Sequence, residues 1–175
     1  MSTFFSDVYI CAKDKYIDGV GGVLGTAQPR YRRGDNNLPI SGGMIFDVDD
    51  IQALIFDNTW SNVIRHEMAH VLGVGTLWEE MGLLDTSSGT VKYTGVNACA
   101  AWRSLTGCPA GSCPPVEQSG GAGTAGTHWD EDVLGNEVSI YFVRRQHILV
   151  GFSTCDHGTE YSCMDKISRY NPHRP

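Results

Sequence analysis

Five residues constrain this chain more than any others: His66-Glu67-Met68-Ala69-His70, an H-E-x-x-H run inside a stretch that reads as a helix. Asn58 or Ser61 can cap that helix, and Gly73 and Gly75 stop it just after Leu72. At about 100° per residue, His66 and His70 stand one turn apart and within roughly 40° of each other. Trp60, Ile64, Met68 and Val71 fall on the opposite side as an apolar stripe. One face is therefore built for a core, and the other presents two imidazoles to a cleft.

Two neutral imidazoles at this spacing can share a zinc ion. Glu67 lies about 100° round from His66, too far aside for a natural ligand, and is placed instead to take a proton from zinc-activated water. The plain alternative is a pair of surface histidines on an amphipathic helix. A catalytic zinc needs a third protein ligand. In the compact arrangement it follows the second histidine by six residues, but that position is Thr76. Glu79 and Glu80 are too close in sequence to come from a separate helix. Glu131, Glu137 and His128 remain candidates.

The rest of the chain narrows the setting. Its 175 residues suit one domain with a real core, and 41% of them are apolar. The net charge of −7 argues against a nucleic-acid partner. No apolar run reaches the roughly 18–20 residues of a membrane span. Residues 1–138 carry 8 Lys and Arg against 17 Asp and Glu, a net −9, whereas residues 139–175 are +2. We read 1–138 as the catalytic domain and 139–175 as a divergent tail. Six cysteines suit disulfides in an oxidising compartment, with Cys108 and Cys113 closing a small loop if paired. The first residues, Met1 to Asp7, show no basic segment of a signal peptide, so an intracellular setting also stays open.

Strands are expected at Asp7 to Ala12 and Gly42 to Asp47, and a short helix from Ile51 to Phe56 capped by Asp49 or Asp50. The glycine-rich stretch Asp18 to Gly25 reads as a turn with close strand packing rather than a phosphate loop. Asp47, Asp49 and Asp50 lack the glycine and distal glutamate of a calcium loop. A further short helix is expected near Asn97 to Ser104, in a loop-rich stretch from Asp85 to Gly126.

The run from His66 to Trp78 resembles the active-site segment of leishmanolysin-like zinc peptidases of the metzincin clan. So do Gly126-Thr127-His128-Trp129 and Gly135-Asn136-Glu137, and upstream Tyr16 to Gly25 and Leu38 to Asp47. The resemblance covers roughly residues 7–138. It implies an α+β, zincin-like fold: a twisted mixed sheet packed on the active-site helix, with an incomplete, loop-rich lower subdomain. It implies one zinc held by His66, His70 and His128, Glu67 as general base, a peptide or protein substrate, and an extracellular or cell-surface location. It also makes the strand before the helix a sheet edge, which would give Gly43, Met44 and Ile45 to substrate main chain. The family places a methionine after the third histidine, where this chain has Ser139. The expected activity is therefore that of a zinc metalloendopeptidase. The alternative is a catalytically impaired pseudoprotease or fragment that binds peptides or a cell surface.

Overall fold

The computed structural model describes residues 8–134. Ser139 and the tail 139–175 lie outside them, as does the proposed boundary at residue 138. The chain divides into two compact units, Met1–Leu77 and Trp78–Pro175.

The first unit holds three strands, β1 (Tyr9–Lys15), β2 (Gly25–Arg32) and β3 (Pro39–Asp47), followed by helices α1 (Ile51–Phe56) and α2 (Trp60–Val71). The sheet order is β1-β3-β2, with β1 parallel and β2 antiparallel to β3. This mixed sheet and the helices give the α+β class. Met44, Phe46 and Val71 form the core, with Val8, Ile10, Ala27, Ile51, Trp60, Val63 and Ile64 packed around them. Phe46 meets Trp60 edge-on at 4.7 Å between ring centroids. The stripe on α2 is thus real at Trp60, Ile64 and Val71, but Met68 is 36% exposed and does not belong to it. Gly42 has a steric reason: a Cβ there would overlap Val71 Cγ1 and lie 2.7 Å from the Gln28 carbonyl oxygen. Its absence lets α2 lie close on the sheet.

The sheet order corrects the expected substrate strand. Gly43, Met44 and Ile45 pair with Cys11, Ala12 and Lys13 on one side and with Gln28, Ala27 and Thr26 on the other. Both edges of β3 are taken, so these residues have no main-chain groups left for a peptide. The difference lies in β2. Its sequence, Gly-Thr-Ala-Gln-Pro-Arg-Tyr-Arg, has a central proline and few β-branched residues, and does not read as a strand. Pro29 is tolerated because β2 has only one strand neighbour among the described residues.

The acidic cluster also has a different use. Asp47 is fully buried; its Oδ2 accepts hydrogen bonds from the main-chain N–H groups of Ile17, Asp18 and Gly19 at 2.8–3.0 Å. Its Oδ1 accepts from Asp49 N–H at 3.0 Å. The Asp49 bond, with those from Asp18, Gly19 and Ile17, outweighs burial and holds the Asp47 pKa down at about 2. Asp50 stands at the start of α1 but makes no side-chain cap bond. Its Oδ1 accepts from Gly21 N–H at 2.8 Å instead. These two carboxylates lash down the glycine-rich loop that leads into β2.

The second unit is built from a short hairpin, β4 (Leu84–Asp85) with β5 (Lys92–Tyr93), then helices α3 (Val96–Thr106) and α4 (Glu131–Leu134). Trp78, Tyr93 and Trp129 pack ring against ring, with centroids 4.6–5.4 Å apart. α3 ends at Gly107, whose φ of 69° supplies the left-handed cap. Cys113 is bonded to Cys99 on α3 and not to Cys108, which corrects the expected loop. With the partners 14 positions apart in sequence, such a bridge stabilises by about 3 kcal/mol in the chain-entropy account. Cys11 is the free cysteine among the described residues.

Candidate active site

Helix α2 carries His66, Glu67 and His70 in its last two turns. The Nε2 atoms of His66 and His70 lie 3.0 Å apart, with the rings edge-on. Two nitrogens each about 2.0–2.1 Å from one ion need a separation of this order. His70 is further oriented by its other nitrogen: Nδ1 donates to the Val74 carbonyl at 2.9 Å, which leaves the tautomer with its lone pair on Nε2. The turn that brings the Val74 carbonyl under the ring depends on Gly73 and Gly75, at φ 97° and 78°. Thr76, in the position of the compact pattern's third histidine, donates its hydroxyl to the His70 carbonyl at 2.7 Å. It closes the helix end and is no ligand.

Glu67 is 4% exposed, and its Oε2 has no hydrogen-bond partner among the described residues. Burial pushes its pKa up to about 7. A carboxylate raised in this way has a sign that can be measured on the zinc-free chain. Above its ordinary value of 4.5 the folded form holds the proton more tightly than the unfolded form. Its contribution is therefore complete below about pH 4.5 and is lost as pH rises through 7, by roughly 3 kcal/mol in all. Urea titrations of the zinc-free parent and of Glu67→Gln between pH 4.5 and 8 should show this slope in the parent alone. Parallel curves would place the carboxylate in water.

In the second unit, His128 is positioned by a strand-like pairing. Val116 bridges Trp129, Glu117 N–H donates to the His128 carbonyl at 2.9 Å, and Gly126 N–H donates to the Glu117 carbonyl at 2.8 Å. The ring's Nδ1 lies 3.2 Å from the Thr124 carbonyl and 3.1 Å from Thr127 Oγ1. Donation from Nδ1 to that carbonyl makes Nε2 the nitrogen suited to a metal, as in His70. The Glu117 carboxylate fixes the same region: it accepts from the Ser119 hydroxyl and the N–H groups of Ser119, Glu131 and Gln118. These bonds, the Ser119 hydroxyl first, hold its pKa at about 2. Glu131, weighed as a third ligand, donates its own N–H to Glu117 at the start of α4. Glu137 lies outside the described residues.

Within the first unit the donors fit zinc: two imidazoles with facing Nε2 atoms, His70 with its Nδ1 directed to a main-chain carbonyl, and a buried carboxylate on the residue after His66. A family model described as leishmanolysin, peptidase family M8, matches residues 26–146. The chain belongs to the leishmanolysin family. That family is one of metallopeptidases, which makes hydrolysis of peptide bonds its general chemistry and a metzincin-like domain its general architecture. The matched segment contains His66, Glu67, His70 and His128 and runs past Ser139. No curated protein matches the chain.

Two partners of the site had no sequence signal. The Val74 and Thr124 carbonyls are main-chain groups, which any residue supplies. A third, Gly25 against Glu67, was visible only as one glycine among many.

Proposed function

We propose that the chain is a zinc-dependent metalloendopeptidase in which His66, His70 and His128 hold the ion and Glu67 is the general base. The observation that carries this is the pairing of two Nε2 atoms 3.0 Å apart with a buried carboxylate on the next residue. Membership of a metallopeptidase family supports it, and the matched segment contains all three histidines. When bound, zinc supplies Lewis acidity, polarising the scissile carbonyl and making water acidic. Glu67 takes a proton from the attacking water as its oxygen bonds to the carbonyl carbon. It then gives that proton to the nitrogen as the C–N bond breaks, leaving a carboxylate and an amine.

On this reading the peptide lies along β2. Gly25 faces Phe46, and Asp47 N–H bonds to the Leu24 carbonyl. In an antiparallel pair this directs the main-chain groups of Gly25 and Ala27 away from β3. An extended substrate can pair with that edge. The Cys99–Cys113 bridge supports an extracellular or cell-surface location.

The test is metal removal and return. The full chain, loaded with zinc, should cleave an unstructured polypeptide, stop when a chelator strips the metal, and resume on zinc addition. Cleavage indifferent to the chelator, or none with zinc bound, contradicts the proposal.

A further inference from the structure

Gly25 does not have the positive φ that would demand glycine, and glycine in a strand costs backbone entropy and packing. What its missing side chain accommodates is Glu67. An ideal Cβ on Gly25 would lie 3.0 Å from Glu67 Oε1 and 3.1 Å from its Cδ and Cγ. Those distances are too short for ordinary carbon contacts, so one side must move. The strand has little room to retreat. Leu24 is hydrogen-bonded to Asp47, and the loop before it is tied to the carboxylates of Asp47 and Asp50. Glu67, in turn, is on the helix whose next turn packs Val71 into the core.

We propose that Gly25 is a positioning residue for Glu67. Its bare backbone forms the wall that sets where the carboxylate rests, at the β2 edge where the scissile peptide is to lie. This rests on Glu67 being the general base. Proton transfer needs heavy atoms about 2.6–3.2 Å apart, so displacing the carboxylate by a few tenths of an ångström takes it off that distance. A methyl group at position 25 does this without touching a metal ligand or changing a charge.

The experiment is G25A in the zinc-loaded full chain, with G34A as control, since Gly34 has open space around it and no positive φ. G25A should lower kcat about tenfold or more, leave KM within about threefold, and keep the parent's zinc content. G34A should change none of these. A second readout is thermal melting of the zinc-free protein. G25A should lower Tm in the parent but leave it level or raise it in the Glu67→Ala background, where the clash is gone and only the loss of glycine freedom remains. An unchanged kcat, or the same Tm change in both backgrounds, overturns the proposal. If the zinc-loaded parent is as inactive as Glu67→Ala, the peptidase reading fails and takes the catalytic role with it. The melting comparison then reports separately on the contact.

Discussion

Replacing His70 with alanine should cost the chain its zinc. His70 is 8% exposed, faces His66 through Nε2 at 3.0 Å, and is fixed by the Val74 carbonyl through Nδ1 at 2.9 Å. Loss of an outer partner alone weakens metal binding by about 10–100-fold. Loss of this pre-oriented ligand should exceed about 100-fold. His128→Ala should weaken binding comparably while leaving His66 and His70 as a two-nitrogen site. Competition against a chromogenic chelator gives both affinities. A His128 variant that binds zinc as tightly as the parent would remove that residue from the ligand set and return the third position to the acidic candidates, Glu131 and Glu137.

Replacing Glu67 with glutamine should have the opposite profile, with zinc retained and turnover lost. The carboxylate is the proton carrier in the proposed reaction, and removing such a group costs about 10²–10⁴-fold in kcat. The same change should make the zinc-free protein more stable at neutral pH. A buried carboxylate with an unpartnered oxygen and a pKa near 7 is a liability to the fold, and glutamine removes its ionisation. Higher Tm together with lower kcat marks a group kept for chemistry at the expense of stability.

The helix and its motif were legible because one residue pattern carries both signals. The spacing of His66 and His70 fixes their common face, and Gly73 and Gly75 fix the end of α2. The burial of Glu67 was not legible, because it depends on β2 and Gly25 packing over that side of the helix. β2 itself escaped because an edge strand with a central proline lacks period-2 patterning. Without β2, β3 reads as a sheet edge. Gly43, Met44 and Ile45 then look open to substrate, whereas the order β1-β3-β2 encloses them. The aspartates at 47 and 50 illustrate a second limit. Their composition shows negative charge, but only the fold shows that main-chain N–H groups of the glycine loop converge on them. The cysteine pairing belongs to the same class: proximity in sequence favoured Cys108 with Cys113, and the position of α3 brings Cys99 to Cys113 instead.

The most direct test of the central claim is kcat/KM for one unstructured peptide, measured on the zinc-loaded parent and on Glu67→Gln at equal zinc content. The parent should cleave the peptide, and the variant should do so more slowly by about 10²–10⁴-fold. Equal rates, or a parent that holds zinc and cleaves nothing, would contradict it; the second result would point to a binding protein that keeps the family's metal ligands without its turnover.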